Sequence, residues 1–294
     1  MKIQRYHEAA AILPVRLRRE ALLLAEEQQS QCEEFRLRIG RPMTVLLAER
    51  EVPLGTVVET EDLEMLCDLA TEFSRYAAVE TLREGFLPVR GGFRVGLCGS
   101  AVMKGGENSN LKDISSAVIR ISREMTGIAD ELLPHLFRDE TFINTLILSP
   151  PGGGKTTLLR DMVRGLSEMG ERISLLDERG EVAVVHRGVP QMDVGPYTDV
   201  LDGCPKAVAI PMVLRAMNPQ IIAVDEITVK EDLNAMSLAV GCGVGLLATI
   251  HAASPQELLE KPLYRRLLED RVFQQTISIV RQGTQRVYHV EKLL

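Results

Sequence analysis

The chain has 294 residues and no tryptophan, and its aromatic residues amount to only 4%. Few side chains are therefore available to stack on unpaired bases, which is a common way of holding single-stranded nucleic acid. The net charge of −7 and the isoelectric point of about 5.4 also provide no overall basic field that would attract a phosphate backbone. These absences disfavour a nucleic-acid motor, and we expect no nucleic-acid partner.

Cysteine pairs and long apolar runs are missing as well. The five cysteines are scattered without a C-x-x-C pair, which argues against a zinc site and a disulfide framework and fits a reducing cytoplasm. The longest apolar run, Leu238 to Ile250, contains glycines and is shorter than the ~20 residues that span a bilayer. Arginines follow the apolar stretch Ala9 to Val15, so we expect no signal peptide there. The expected location is cytoplasmic, with any membrane contact made through a partner or a surface contact.

One glycine-rich stretch dominates what the chain does contain. From Thr145 to Thr157, a short apolar run precedes three glycines, a lysine and two threonines, and an amphipathic segment follows. Strand, glycine-rich loop and helix in this order are typical of a phosphate-binding loop, in which backbone N–H groups and the helix N-terminus surround the phosphates. An ordinary glycine-rich turn would not explain the flanking pattern. The predicted nucleotide-binding residues are Pro151, Gly152, Gly153, Gly154, Lys155, Thr156 and Thr157.

Within this loop, Lys155 and Thr156 have distinct predicted roles. Lys155 would reach the β- and γ-phosphates of ATP, and the hydroxyl of Thr156 would bind Mg²⁺. Ser149 stands where the G-x-x-x-x-G-K-[ST] pattern has its first glycine. That glycine mainly eases the exit from the strand, so the departure leaves the residues that touch phosphate intact.

Short apolar strands alternate with helical patterns after Thr145, which predicts a parallel sheet with helical crossovers. Functional groups are expected just beyond the carboxyl ends of such strands. The predicted strands cover residues 146–148, 173–176, 221–224 and 244–250. Each of them is followed by polar residues or by the glycine-rich loop.

Two carboxylates, Asp225 and Glu226, close the strand 221–224. An aspartate at this place in a nucleotide-binding sheet can hold the magnesium shell, and a neighbouring glutamate can deprotonate the attacking water. The alternative is a solvated acidic pair that leads into a helix. Beside a phosphate-binding loop we favour Asp225 as a metal ligand and Glu226 as the catalytic base.

Two further strand ends carry candidate residues. Glu178, after the strand 173–176, is expected to act as an auxiliary carboxylate, and Arg179 as a contact to phosphate or to another subunit. Four charges within five residues are, however, also typical of an exposed turn. His251 is the predicted γ-phosphate sensor, with Thr249 on the same face of its strand. The alternative for His251 is a histidine that is only packed or hydrogen-bonded.

The chain before residue 139 has another pattern and predicts a smaller α+β domain over residues 1–138, ahead of a second domain over residues 139–294. The predicted elements are a helical region over residues 1–31 with a break at Pro14, a hairpin over 35–47, a helix over 61–76, a hairpin over 86–98 around Gly91 and Gly92, a strand over 117–123, and a helical connection over 125–142. Arginines gather at the strand ends, at Arg90, Arg94, Arg120 and Arg123.

The succession of motifs resembles the ring ATPases of bacterial type II and type IV secretion systems. The residues that carry the resemblance are Pro150 to Asp161, Leu176 to Glu181, Asn218 to Ile227 and Ala248 to His251, which correspond to a Walker A loop, an acidic box, a Walker B carboxylate pair and a histidine box. The segments Phe35 to Pro42 and Gly91 to Gly96 add a closer similarity to a branch of this superfamily that acts in sporulation. The resemblance implies an α/β fold: a RecA-like P-loop NTPase domain with a central, mainly parallel sheet, preceded by a smaller α+β domain.

The resemblance also implies a function, cofactors and partners. The implied function is an ATP-hydrolysing ring motor, a homo-oligomer that is a hexamer in the family, with ATP and Mg²⁺ as cofactors at the subunit interfaces. Arg90, Arg94, Arg120 and Arg123 become candidates for the positive charge that a neighbouring subunit supplies in the transition state. The implied partners are membrane proteins of a sporulation channel, with the motor in the mother cell, peripheral at the membrane. The alternative is an ATP-binding switch or assembly scaffold with negligible hydrolysis, which Ser149 favours weakly and Glu226 argues against.

Overall fold

The change of pattern along the sequence corresponds to two units, each built around its own sheet. The computed structural model describes residues 2–47, 50–72, 82–121, 125–282 and 285–293. The chain divides into an N-terminal unit, Met1–Arg123, and a C-terminal unit, Glu124–Leu294. No helix among the described residues is long and apolar enough to cross a membrane.

The N-terminal unit has a six-stranded antiparallel sheet and several helices. The helices that lie wholly within the described residues are α1 (Lys2–Ala10), α2 (Val15–Ala21), α3 (Glu26–Gln31) and α4 (Thr60–Ala70). The strands are β1 (Cys32–Arg38), β2 (Pro42–Leu47), β3 (Arg50–Val57), β4 (Phe86–Val89), β5 (Phe93–Lys104) and β6 (Glu107–Arg120), in the order β3-β2-β1-β6-β5-β4. Alternate strand residues such as Phe35, Val95 and Ile119 pack with Tyr6 and Leu66 of the helices in one core.

Most elements predicted for this unit are confirmed. The amino-terminal region is helical with a break at Pro14, and both predicted hairpins form, the second through Gly91 and Gly92 at φ 86° and 74°. The predicted helix over 61–76 is confirmed as α4, and its residues 73–76 lie outside the described part of the chain. The strand predicted over 117–123 is the end of the longer β6, and residues 122 and 123 also lie outside the described part.

The C-terminal unit is organised around a seven-stranded, mainly parallel sheet. Its helices are α5 (Lys155–Glu168), α6 (Lys206–Ala216), α7 (Lys230–Gly241), α8 (Pro255–Glu260) and α9 (Pro262–Glu269). The strands of the sheet are β9 (Thr145–Leu148), β10 (Ile173–Asp177), β13 (Thr198–Asp202), β14 (Ile221–Val224), β15 (Gly245–Ile250), β16 (Gln275–Gln282) and β17 (Gln285–Lys292), in the order β13-β10-β14-β15-β9-β16-β17. Two small hairpins accompany it: β7 (Phe137–Arg138) with β8 (Thr141–Phe142), and β11 (Val185–His186) with β12 (Val189–Pro190).

The prediction of a parallel sheet with crossover helices is confirmed. The four predicted strands are β9, β10, β14 and β15, and they pair in parallel as β10-β14-β15-β9. β16 continues the parallel arrangement beside β9, whereas β17 is antiparallel to β16. The carboxyl ends of β10, β14, β15 and β9 therefore meet at one edge of the sheet.

The prediction of a helical connection over residues 125–142 is wrong. The structure has turns, a 3₁₀ turn over Leu133–Leu136 that begins around Pro134, and the β7–β8 hairpin. The buried carboxylate of Asp161 accepts hydrogen bonds from the N–H groups of Gly127 and Ala129 at 3.1 and 2.8 Å, so these backbone donors are satisfied without a helix.

The segment over residues 125–138 packs with the C-terminal part of the chain. Leu132 and Leu136 are buried in the same core as Leu158 and Met162 of α5, and the whole segment belongs to the C-terminal unit. The boundary predicted from the sequence, after residue 138, thus falls inside this unit.

Candidate active site

Four predicted segments meet at the carboxyl edge of the seven-stranded sheet. Because β10, β14, β15 and β9 are successive parallel neighbours, the residues that come after them are brought side by side. The glycine-rich loop follows β9, and the other three strands are followed by Glu178, by Asp225 with Glu226, and by His251. The strand order thus brings together segments that lie far apart in the sequence, from Ser149 after β9 to His251 after β15.

The loop between β9 and α5 takes a conformation that depends on glycine. Gly152 and Gly154 have φ values of 72° and 104°, in the left-handed region that residues with a Cβ rarely adopt. Gly154 is also the N-cap of α5. A Cβ on Gly153 would overlap the hydroxyl of Ser149, so the middle glycine is required by this close approach. Pro151 and Gly152 are exposed, while Thr156 and Thr157 are half-buried in the first turn of α5.

Lys155, at the start of α5, is only 7% exposed. Its ammonium group donates to the carbonyl oxygens of Ser149 and Pro150 at 3.1 and 3.4 Å, and to Nδ1 of His251 at 2.6 Å. Burial lowers the pKa of Lys155, against the opposing influence of the carboxylates Glu226 and Asp225. The lysine is thus held within the loop, pointing to the same edge as the acidic residues.

His251 connects Lys155 to Glu226. An ammonium group can only donate, so Nδ1 of His251 is the acceptor and the imidazole proton lies on Nε2. Nε2 is 3.1 Å from Oε1 of Glu226, to which it donates. The other carboxylate oxygen of Glu226 accepts from Nη1 of Arg179, also at 3.1 Å. Lysine, histidine, glutamate and arginine therefore form a continuous chain of contacts.

Asp225 lies one residue before Glu226 and is only 6% exposed. Burial raises the pKa of this carboxyl group, and the nearby charge of Asp177 acts in the same direction. The buried hydroxyl of Thr249 donates to Oδ1 of Asp225 at 3.3 Å and accepts the backbone N–H of Glu226 at 3.1 Å. Thr249 thereby fixes both members of the acidic pair from the neighbouring strand.

The acidic segment after β10 divides into a structural part and an accessible part. Asp177 is fully buried and accepts the N–H groups of Glu181, Val182 and Ala183 at 2.8 to 3.0 Å, which shapes the turn. Glu178 instead forms an ion pair with Lys206, the first residue of α6, whose side chain is 4% exposed. Sequence reasoning missed Lys206, because nothing in the local pattern distinguishes it from a surface lysine at a helix start.

The chemistry of the donor groups fits Mg²⁺. Thr156 offers a hydroxyl and Asp225 a carboxylate, and Mg²⁺ prefers oxygen ligands and commonly takes only one or two from the protein, with the rest from water and substrate phosphates. Among the described residues, no group of three or more histidine, cysteine, aspartate and glutamate side chains is arranged to hold a metal ion.

The four candidate arginines belong to the N-terminal unit. Arg90 is exposed after β4, and the guanidinium of Arg94 lies over the ring of Phe86 at 4.1 Å from its centroid. Arg120 is 75% exposed and lies 3.5 Å from Glu34. Arg123 lies outside the described residues. A catalytic role for any of these arginines stays a prediction.

The chain is similar to known proteins in sequence and in fold. A family model described as "Sporulation stage III, protein AA" matches residues 3–289. The chain is 38% identical over 281 residues to stage III sporulation protein AA of Bacillus subtilis (strain 168). The aligned region covers 94% of this chain and 91% of that protein. Among solved structures, the pilus retraction motor PilT with bound ADP is similar with a TM-score of 0.58 and 17% identity, over 92% of this chain and 81% of the PilT chain.

A second solved structure has the same fold. The Legionella pneumophila ATPase DotB is similar with a TM-score of 0.57 and 16% identity, over 89% of this chain and 76% of the DotB chain. At such low identities the two structures establish the fold alone. It is RecA-like, with a central, mainly parallel sheet preceded by a smaller α+β domain.

Proposed function

Because this chain belongs to the Sporulation stage III, protein AA family and has a RecA-like fold, we propose that it binds ATP with Mg²⁺ and hydrolyses it to ADP and phosphate. The observation that carries the proposal is the chain of contacts from Lys155 through His251 to Glu226. It joins a cation suited to phosphate, a polar relay and a carboxylate suited to act as a base. Bound ADP in PilT and the ATPase activity named for DotB support the assignment.

In the proposed reaction, Lys155 exchanges its bonds to the loop carbonyls and to His251 for phosphate oxygens. The N-terminus of α5 contributes further attraction for the anion. Thr156 and Asp225 would hold Mg²⁺, which would neutralise charge on the phosphates when bound. His251, once released by Lys155, is placed to sense the γ-phosphate while it keeps its contact to Glu226.

Glu226 is the proposed base for the attacking water. The water oxygen bonds to the γ-phosphorus, its proton passes to the Glu226 carboxylate, and the bond from the γ-phosphorus to the bridging oxygen breaks to leave ADP. Arg179 and His251 hold the two carboxylate oxygens of Glu226, so the base is oriented before substrate arrives. Glu178, beside Lys206, is the proposed auxiliary carboxylate.

We also propose that the working form is a homo-oligomeric ring, a hexamer as in the secretion ATPases that the sequence resembles. A neighbouring subunit would then supply a transition-state charge from among the arginines of its N-terminal unit: Arg90, Arg94, Arg120 or Arg123. The name of the B. subtilis relative supports a role in sporulation. The proposed partners are membrane proteins of a sporulation channel, with the ring in the mother cell and peripheral at the membrane.

The decisive experiment compares steady-state ATP hydrolysis by the wild type and by Glu226→Gln over a series of protein concentrations, with oligomer size followed in parallel. Removing the base should lower kcat by about 10²- to 10⁴-fold, while ATP affinity stays within a few-fold. Glu231→Gln, an exposed glutamate in the first turn of α7, is the matched control and should behave as the wild type. Activity that rises with assembly supports a ring.

The same experiment tests the alternative of a nucleotide-dependent switch. If the wild type and Glu226→Gln both bind ATP and assemble, yet hydrolyse at the same negligible rate, the proposal of an intrinsic hydrolase fails. A motor would then require that an added membrane partner restores turnover to the wild type and not to Glu226→Gln.

A further inference from the structure

The final hairpin of the chain extends past the strand that leads into the glycine-rich loop. Ser278 of β16 is level with Leu148, the last residue of β9. β16 nevertheless continues to Gln282, and β17 returns from Gln285. The described residues of the hairpin therefore continue past the end of β9, on the side where the loop of residues 149–154 begins.

Arg286 of β17 contacts this loop directly. Its Nε–H donates to the carbonyl oxygen of Gly153 at 3.0 Å. A Cβ built on Gly154 would lie 2.9 Å from Nε and 3.2 Å from Cζ of Arg286, so the guanidinium packs against the backbone at the N-cap of α5. The side chain is exposed overall. Within the described part of the chain, no hydrogen bond or ion pair joins its two Nη groups to another residue.

Arg286 adds a positive charge close to the N-terminus of α5. That terminus carries a positive partial charge, and Lys155 begins the same helix. An anion bound at the loop would be attracted by all three positive groups. Arginine also presents five N–H donors in a planar fork, of which the contact to Gly153 uses one.

We propose that Arg286 binds a phosphate oxygen of the nucleotide held by the loop of its own subunit. The inference rests on the proposed function, since it assigns a further contact to the same ATP site. The Nε–H bond to Gly153 positions the guanidinium, and the Nη groups donate to the phosphate. The C-terminal hairpin then acts as part of the nucleotide site, from a position 133 residues after the loop.

The test measures binding of a fluorescent ATP analogue, and its displacement by ATP and by inorganic tripolyphosphate, at several salt concentrations. Arg286→Gln removes the charge but keeps a side-chain N–H donor, and Arg286→Lys keeps the charge. Lys292→Gln is the matched control: Lys292 is an exposed cation on the same strand, but it pairs with Gln275, which is level with Thr145 at the opposite edge of the sheet.

Arg286→Gln should weaken binding of ATP and of tripolyphosphate about tenfold, because a hydrogen bond to a charged group is lost. Its affinity should also depend less on salt, since one charge–charge interaction is missing. Arg286→Lys should retain most of the affinity, and Lys292→Gln all of it.

Two results would overturn the proposal. One is unchanged binding of both ligands by Arg286→Gln. The other is weaker binding with an unchanged salt dependence, which would make Arg286 only a structural brace of the loop. Failure of the proposed function is separate: it would appear as a wild type that binds no ATP, or as a Lys155→Ala variant that binds ATP as well as the wild type does.

Discussion

Replacing Gly153 by alanine should destabilise the C-terminal unit, and replacing Ser149 by glycine should remove most of that effect. A Cβ at Gly153 would overlap the Ser149 hydroxyl and lie 2.9 Å from Ser149 Cβ and 3.1 Å from the carbonyl oxygen of Pro150. Ser149 is 1% exposed, so its side chain has little room to move. Ser149, which stands in place of the usual glycine, thus packs against the loop and leaves no room for a side chain at Gly153.

These contacts determine the size of the effect. Overpacking a well-packed site costs about 1–3 kcal/mol, and displacing the Ser149 hydroxyl also breaks its hydrogen bond to the Pro150 carbonyl at 3.2 Å. We expect Gly153→Ala to lower the free energy of unfolding by about 2 kcal/mol. In the Ser149→Gly background the two shortest contacts are gone and the contact to the Pro150 carbonyl remains, so the same substitution should cost below about 1 kcal/mol. The coupling energy between the two sites is then about 1–2 kcal/mol.

The assay is chemical denaturation of the four proteins of this double-mutant cycle, with ATP affinity measured in parallel. Gly165→Ala provides a control, since a Cβ there would lie 2.5 Å from Leu133 and not near Ser149. It should combine additively with Ser149→Gly. If Gly153→Ala and Ser149→Gly also add to within about 0.3–0.5 kcal/mol, the packing of Ser149 against Gly153 does not restrict the loop and the argument is refuted.

Two other consequences concern single carboxylates. Burial acts to raise the pKa of Asp62, but hydrogen bonds from Arg16 and from the Glu59 backbone outweigh it and hold that pKa below its usual value. Asp62→Ala should therefore lower the free energy of unfolding by about 2–3 kcal/mol at pH 7. Urea titrations should show the difference between wild type and variant shrinking as the pH falls below ~3.9 towards the lowered pKa. A difference that persists unchanged in acid would contradict this. For Asp225, the positive charge of Lys206 opposes the increase in pKa that burial causes. Lys206→Met should raise the pKa of Asp225 further and move the acid limb of the pH profile of kcat/KM for ATP hydrolysis to higher pH. If the acid limb does not move, ionisation of Asp225 does not control the activity.

The strands of the parallel sheet could be predicted because such strands are buried on both faces and form continuous apolar runs. The predicted ranges 146–148, 173–176, 221–224 and 244–250 differ from β9, β10, β14 and β15 by no more than one residue at either end. The polar residues that follow these apolar runs are also visible in the local sequence. The runs and the residues after them predict that Glu226 and His251 lie at one edge of the sheet, and in the structure Oε1 of Glu226 is 3.1 Å from Nε2 of His251.

The segment 125–142 shows where the same reasoning fails. Leu132, Leu133 and Leu136 have helical spacing, yet this spacing also suits a single 3₁₀ turn that buries Leu136 against the core. One contact that favours the observed conformation comes from Asp161, far along the chain, which accepts hydrogen bonds from the backbone N–H groups of Gly127 and Ala129. A tertiary hydrogen bond of this kind leaves no mark in the local pattern.

Strand order is the other information that a local pattern lacks, and in this site it determines which residues can meet. The sequence alone does not say that the strand after Phe273 returns to the side of β9, so it gives no reason to connect Arg286 with Gly153. By contrast, once β15 lies beside β9 with Ile250 level with Leu148, the residue after Ile250 must face the start of the loop. His251 therefore contacts Lys155 as a consequence of register, and a one-residue shift of β15 would break the chain of contacts to Glu226 without altering any residue in it.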